Sequence, residues 1–237
     1  QSAGSVATQF DGAVTLTGNF DFTGQALTVN GSGHTVGGTM DVSNAGLFTT
    51  ADAADLTVTG QFTQDGLGTS SLGGNLTGTA GIDFATGILL TGDDAVVLTT
   101  GGAAGQDIVL GTDNTTDITG TSQALTLNAG AAGDITIEGD VGGSSAALGA
   151  IIVSNADQVR FDETVTASSF TQSTAAATGL TTFDGAIDLT GNVDFTGQAL
   201  TLNAALGSGG TVEITNAGTF TTAAGGDITS TGAFTQN

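Results

Sequence analysis

The chain lacks several residue types altogether, and each absence removes a class of structure or chemistry. There is no cysteine, proline, tryptophan or tyrosine among the 237 residues, and the only lysine or arginine is Arg160. Without cysteine the chain has no disulfides, thiolate nucleophiles or cysteine-ligated metals. Because there is no proline, every residue of a strand can donate its backbone N–H to a neighbouring strand. Without tryptophan and tyrosine the chain has none of the aromatic platforms on which sugars commonly stack.

The charge is almost entirely of one sign. The chain carries 23 aspartate and glutamate residues, and its formal net charge is −22. Such a surface repels the phosphates of nucleic acids, which proteins bind through lysine and arginine, and it also repels anionic membrane surfaces. We therefore expect no nucleic-acid partner. The same charge helps to keep a folded body soluble and attracts divalent cations.

The remaining composition favours one continuous folded domain over residues 1–237. Hydrophobic residues make up 38% of the chain and charged residues only 10%, whereas disordered chains combine few apolar residues with many charges. No linker or composition shift divides the sequence. We see no apolar run long enough to cross a bilayer and no recognisable signal peptide. Because the chain does not begin with methionine, we expect it to be a processed or internal segment.

A long internal repeat is the most informative pattern. Residues 10–30 (FDGAVTLTGNFDFTGQALTVN) return as residues 183–203 (FDGAIDLTGNVDFTGQALTLN), with 17 of 21 positions identical. The match resumes after a one-residue deletion, so the block 10–64 recurs as 183–236 at an offset of about 172 residues. Repeats built from short β-like segments are typical of stacked, quasi-one-dimensional folds. The unit is expected to continue beyond both ends of the chain.

Short apolar segments separated by turn residues predict an all-β fold. AVTLTG (13–18), ALTVN (26–30) and DITIEG (134–139) are examples, bounded by Gly, Asn and Asp. No stretch keeps a helical period over three turns. A barrel or sandwich closes at a fixed strand number, whereas a solenoid adds coils freely. We therefore predict a right-handed parallel β-helix (β-solenoid) of about ten rungs without a helical domain, a rod roughly 50 Å long at about 4.8 Å per rung.

Shorter phrases recur inside the unit, and we expect them to stack at equivalent positions of successive coils. The phenylalanines are expected to form a buried ladder and to keep their places between copies, Phe48 with Phe220 and Phe62 with Phe234. The recurring phrases are QALT, at 25–28, 123–126 and 198–201, and FTQ, at 62–64, 170–172 and 234–236.

The two unique residues are interpreted as structural. His34, the only histidine, lies in the loop-like stretch NGSGHTVGG and has no counterpart in the second copy. No nucleophile at a recognisable spacing completes a catalytic triad with it. Arg160 is expected to form a surface ion pair with Asp162 or Glu163, which contributes little stability when exposed.

Paired carboxylates are the pattern that a hydrolytic β-helix would require. Candidate pairs occur, but they are scattered around turns, and one arginine cannot stabilise the intermediates of a lyase acting on uronates. We therefore predict no enzyme activity, no catalytic residue and no cofactor-binding residue. The candidate pairs are Asp93 with Asp94, Asp52 with Asp55, Asp162 with Glu163, and Asp134 with Glu138 and Asp140.

Two sequence patterns allow a metal ion or a glycan to bind but do not require it. The stretch GTDNTTD (111–117) is rich in the oxygen ligands that calcium prefers, but no EF-hand or nonapeptide calcium motif is complete. Calcium is therefore kept as an alternative to solvated turn acids, and no metal ligand is assigned. Asn-x-Ser/Thr triplets, the acceptor pattern for N-linked sugar, begin at Asn30, Asn75 and Asn114.

Several long strings carry a family resemblance. The strings at 167–191 (ASSFTQSTAAATGLTTFDGAIDLTG), 212–237 and 123–143 resemble the filamentous-haemagglutinin-like, β-strand-repeat adhesins of Gram-negative bacteria. The resemblance covers essentially the whole chain and rests on repeat phrasing and composition. It implies a right-handed parallel β-helix, export as a long unfolded chain, and display as a fibre or adhesin. It names no functional residue, and the secretion module of that class is not in this sequence.

The expected function is therefore a structural or adhesive segment of a long extracellular repeat protein. It would form a rod, fibre or sheath on a bacterial surface, associating with itself end to end or along the fibre. A glycan- or receptor-binding adhesin module is the alternative, and a carbohydrate-active enzyme comes third. Acids clustered in a groove over three rungs would favour the enzyme. An insertion breaking the rungs would favour receptor binding, and uniform rungs with open ends would favour the filament.

Overall fold

The computed structural model describes residues 4–92, 95–143, 146–173 and 179–237, and these residues form a β-solenoid of ten coils without a helix. The predicted all-β solenoid of about ten rungs is confirmed. Each coil contributes strands to three stacked parallel sheets, which we call faces 1, 2 and 3. None of the described residues belongs to a helix long and apolar enough to cross a membrane.

The chain passes through the three faces in the order 1, 2, 3 and then begins the next coil. Face 1 consists of the first half of β3 (Phe20–Val29), β5 (Met40–Asn44), β8 (Phe62–Gln64), β11 (Ile82–Phe84), β14 (Ile108–Leu110), β17 (Ile135–Ile137), β19 (Val159–Phe161), β21 (Leu180–Phe183), β24 (Ala199–Leu202) and β27 (Phe220–Thr222). Face 2 consists of β1 (Gly4–Phe10), the second half of β3, β6 (Phe48–Thr50), β9 (Ser70–Leu72), β12 (Ile88–Leu90), β15 (Ile118–Thr119), the bridge residue Val141, the first half of β20 (Val165–Gln172), β22 (Ile187–Leu189), β25 (Leu206–Ser208) and β28 (Ile228–Ser230). Face 3 consists of β2 (Thr15–Leu16), β4 (His34–Val36), β7 (Leu56–Val58), β10 (Leu76–Gly78), β13 (Val96–Thr99), β16 (Leu125–Asn128), β18 (Leu148–Asn155), the second half of β20, β23 (Val193–Gly197), β26 (Val212–Asn216) and β29 (Phe234–Gln236).

Strand pairing is parallel and in register from coil to coil. Ile82–Phe84 of β11, for example, pairs residue by residue with Ile108–Leu110 of β14. Most strands have only three residues, with the first and third buried and the second pointing outward. This alternation follows from the two-residue period of a strand. It explains why Val, Ile, Leu and Phe alternate with Thr and Asp in the sequence.

The core is a continuous apolar column between the three faces. Phe48, Phe62 and Phe84 form a chain of ring contacts, with centroids 5.7 Å and 5.0 Å apart. Phe161 and Phe183 stack directly across one coil step at 4.7 Å. Burying each such side chain contributes about 1.5–3 kcal/mol. The predicted phenylalanine core is therefore present.

The two repeat copies do not lie on the same faces. Residues 20–24 pair within face 1, whereas their copy, residues 193–197, pairs within face 3. Leu27 lies on face 2, and its copy Leu200 lies on face 1. From Phe20 to its counterpart in the second copy the chain advances seven coils and two faces. The repeat is thus one strand short of a whole number of coils, and its second copy is rotated about the rod by one face.

The expected stacking of short phrases is wrong for the same reason. QALT lies on face 2 around Leu27, on face 3 around Leu125 and on face 1 around Leu200. FTQ lies on face 1 at 62–64 and on face 3 at its other two positions. Each phrase specifies a strand and its corner. Any face can accommodate it, because all three faces offer similar short strands.

A pair of amide side chains at one corner is present in both copies of the repeat. In the first copy, Gln64 donates to the side-chain oxygen of Asn44 at 2.7 Å, at the corner between faces 1 and 2. In the second copy, Gln236 donates to Asn216 at 3.0 Å, at the corner between faces 3 and 1. The same amide pair therefore forms in both copies on different faces.

Candidate functional site

His34 lies inside the core. It is the first residue of β4 and is only 1% exposed. Its Nδ1 accepts the N–H of Val14 at 3.2 Å, and its Nε2 donates to the carbonyl of Asn30 at 2.7 Å. Both ring nitrogens are thus engaged by backbone, and the corresponding strand of the second copy begins with the buried Leu206. The expected loop position was wrong, and the ring fills a core position of a strand.

Arg160 forms the predicted surface ion pair and adds a second one. Its Nε lies 2.8 Å from Asp162, and a terminal nitrogen lies 3.0 Å from Asp184 on the next coil. Burial raises the pKa of Asp162; Arg160 lowers it, and Asp184 raises it. Since the arginine side chain is 56% exposed, the pair contributes at most about 1 kcal/mol.

Corner carboxylates are used to hold the backbone of the next coil. Asp55 accepts the N–H of Asn75 at 2.9 Å, and Asp134 accepts the N–H of Gln158 at 3.0 Å. Asparagine does the same work elsewhere, as Asn19 accepts the N–H of Thr39 at 3.1 Å. A carboxylate that accepts a backbone N–H supports a corner, which gives a structural use to part of the acidic composition.

The predicted carboxylate pairs are placed differently from one another. Asp134 precedes β17, whereas Glu138 and Asp140 follow it, so these acids lie at opposite ends of one strand. Asp52 and Asp55 share the corner between β6 and β7. Asp93 and Asp94 lie outside the described residues. Burial, the largest cause, raises the pKa of Asp134; the hydrogen bond from Gln158 lowers it, and Asp107 and Asp157 raise it.

A polar groove on face 2 is the candidate functional site. It arises where a single residue, Val141, represents face 2 in its coil and bridges Ile118 and Val165. The chain then leaves the face at Gly142, whose φ is +71°. The groove has a volume of about 460 Å³ and crosses four coils. A second cleft of about 320 Å³ shares Asp117 and Thr119 with it, so the two are continuous. The groove is lined by Asp117, Thr119, Asp140, Gly142, Gly143, Thr164, Thr166, Ala186 and Asp188.

Two of the three carboxylates of this groove accept backbone hydrogen bonds, and the third is exposed. Asp117 accepts the N–H of Asp140 at 3.3 Å, and Asp140 accepts the N–H of Thr164 at 2.9 Å. Asp188 points outward from β22 and is exposed. Sequence reasoning missed that Asp117 and Asp188 line one groove, because nothing in their spacing indicates that both border face 2. One signal was available, since Asp188 replaces Thr15 of the first copy.

The oxygen-rich stretch at 111–117 forms an excursion between β14 and β15. The carboxylate of Asp113 accepts the N–H and the hydroxyl of Thr115, at 2.9 and 2.7 Å. These bonds lower the pKa of Asp113. The described residues include no group of three or more His, Asp or Glu side chains that could hold a metal ion, and calcium binding stays a prediction.

The fold and its corners define a β-solenoid repeat protein. No family model, curated protein or solved structure matches the chain.

Proposed function

We propose that the chain is a structural and adhesive segment of a long extracellular repeat protein, forming a rod, fibre or sheath on a bacterial surface. The observation that carries the proposal is the continuous stack of parallel coils, whose strands pair in register from one coil to the next. Phe62 is fully buried by the coil above it, whereas its repeat counterpart Phe234 on the last coil is 47% exposed. Such an end surface suits the addition of another coil.

The mechanism is mechanical. Backbone hydrogen bonds run along three faces, and the apolar column runs between them, so that load is shared by every coil. The carboxylates that accept backbone N–H groups at the corners support a structural, non-enzymatic role. The acidic surface keeps the rods apart sideways, which favours association along the rod axis.

The proposal is tested by whether the chain forms longer rods by self-association. Negative-stain electron microscopy and sedimentation velocity over a range of protein concentrations should show rods longer than the roughly 50 Å of one chain. Phe234→Asp places a charge on the open end and should restore single units. Thr126→Asp on β16, in the middle of the rod, is the matched control and should leave growth unchanged. A wild-type chain that stays monomeric at every concentration would contradict the proposed end-to-end association.

Glycan binding is a second candidate, supported by the groove on face 2. Its hydroxyls and carboxylates suit the hydroxyl groups of a neutral sugar, and an excursion of the chain at Gly142–Gly143 borders it. A glycan array followed by NMR titration should place binding at this groove. Asp188→Asn should weaken it, whereas Glu213→Gln, at another exposed acid on face 3, should not. Equal loss with both variants would indicate a general charge effect and no groove site.

A further inference from the structure

Three Asn-x-Ser/Thr triplets are present, and the fold treats them differently. We propose that Asn114 is an acceptor site for N-linked glycan on the folded chain, and that the fold withholds Asn30 and Asn75 from the same modification. Transfer requires an accessible carboxamide and a triplet that can leave its folded conformation to enter a transferase.

Asn75 is held within the ladder between coils. Its side-chain oxygen accepts the N–H of Val97 on the next coil at 2.9 Å. The two residues that follow it, Leu76 and Thr77, belong to β10, and Leu76 is only 3% exposed. Presenting this triplet would pull a strand out of face 3, which costs both hydrogen bonds and buried apolar surface.

Asn30 is held by three hydrogen bonds, two of them to the preceding coil. Its amide donates to Asp11 at 3.0 Å, and its backbone N–H donates to the carbonyl of Phe10 at 2.8 Å. Its own carbonyl accepts the Nε2 of the buried His34. Releasing Asn30 would therefore leave a core histidine without its hydrogen-bond acceptor.

Asn114 lies at the exposed tip of the excursion between β14 and β15, and its carboxamide has no hydrogen-bond partner among the described residues. The hydrogen bonds of the triplet itself are local: Thr115 and Thr116 both donate to Asp113. The excursion is closed off below the tip, where the N–H of Gly111 donates to the carbonyl of Phe84 at 2.7 Å. The triplet can open without breaking any pairing between coils.

The chain supplies only the acceptor in this step. The carboxamide nitrogen of Asn114 forms a bond to the anomeric carbon of an oligosaccharide carried on a polyprenyl diphosphate. The bond from that carbon to the diphosphate oxygen breaks, and the polyprenyl diphosphate leaves with the electron pair. One amide proton passes to a base of the transferase, and nothing is oxidised or reduced.

The test uses the folded chain with a purified oligosaccharyltransferase and a polyprenyl-diphosphate-linked oligosaccharide. Intact mass and peptide mapping should show one glycan, on Asn114. Asn114→Gln should abolish the added mass, and because the side chain is exposed the variant should fold like the parent. Asn30→Gln should leave the modification in full.

Synthetic peptides covering 27–35, 72–80 and 111–119 are the matched controls. All three should be glycosylated, which would show that the fold, rather than the triplet sequence, makes the selection. Modification of Asn30 or Asn75 in the folded chain would overturn the proposal. So would a folded chain or a 111–119 peptide that receives no glycan.

Discussion

Individual polar residues inside the rod bind the backbone of a neighbouring segment. His34 bonds to Val14 and Asn30, which lie 20 and 4 residues away in sequence. Asp83 points outward from β11 and is partly buried between the neighbouring strands of face 1. These two residues show what buried polarity and buried charge each cost the fold.

Replacing His34 should separate the loss of volume from the loss of hydrogen bonds. His34→Ala leaves a cavity and two unpaired backbone groups, and we expect the free energy of unfolding to fall by about 2–3 kcal/mol. His34→Leu refills the space, as Leu206 does in the second copy, and should cost only about 1 kcal/mol. Urea denaturation followed by circular dichroism measures both. Equal losses for the two variants would contradict a packing role for the ring.

Removing the charge of Asp83 should stabilise the fold at neutral pH. Burial raises the pKa of Asp83, and the carboxylate of Asp65 raises it further. A carboxyl group with a higher pKa in the folded chain than in the unfolded chain binds protons more readily when folded. The fold therefore loses stability as the pH rises through the interval above the ordinary value of 3.8.

Asp83→Asn should raise the free energy of unfolding by about 0.5 kcal/mol at pH 7 and leave it unchanged at pH 3. Urea denaturation at pH 3, 5 and 7 checks this dependence. Asp227→Asn, at an exposed position, should show no comparable gain. A gain as large at pH 3 as at pH 7 would mean that charge is not the cause.

At the scale of the element, the corner between faces 1 and 2 depends on one glutamine. Gln64 is fully buried and donates to Asn44 and to the carbonyls of Gly66 and Gly68. Its oxygen accepts the hydroxyl of Thr86 at 2.9 Å. Three stacked coils therefore meet at this side chain.

Gln64→Leu should lower the free energy of unfolding by about 2–3 kcal/mol, because several buried acceptors lose their donor. The chain provides its own control in Gln236, which occupies the same place in the second copy but is exposed on the last coil. Gln236→Leu should cost less than about 0.5 kcal/mol. Similar losses at both positions would contradict the dependence on burial.

At the scale of the whole molecule, the rotation between repeat copies has a measurable consequence. Thr49 lies on face 2 and its repeat counterpart Thr221 lies on face 1, whereas Thr229 of the last coil lies on face 2. Labels at Thr49 and Thr229 should therefore lie closer together than labels at Thr49 and Thr221. The same-face separation should be about 38 Å, eight coil steps at about 4.8 Å each.

The measurement is pulsed electron spin resonance on paired cysteine variants, which the absence of native cysteine makes straightforward. Stability of each doubly labelled chain against the parent is the control for local disturbance. A shorter distance for the Thr49–Thr221 pair would mean that the copies lie on one face.

The sequence indicated the strands well, because a short strand with one buried side shows a two-residue alternation of apolar and polar residues in the sequence. The repeat also predicted stacking, since only an open-ended fold accepts a partial second copy. The pairing of Gln64 with Asn44 and the groove between Asp117 and Asp188 were not predictable. Each depends on which residues of successive coils come together, and the lengths of all intervening corners decide that.

Composition and local pattern were enough to establish an acidic, proline-free β-solenoid of about ten coils with a phenylalanine core. The face that each segment occupies was decided only in the folded rod. Every corner between the two copies advances the chain by one face, whatever the length of the corner. The number of corners therefore sets the rotation of the second copy. Because the three faces accept the same strands, no residue type in the sequence indicates which face a strand will occupy.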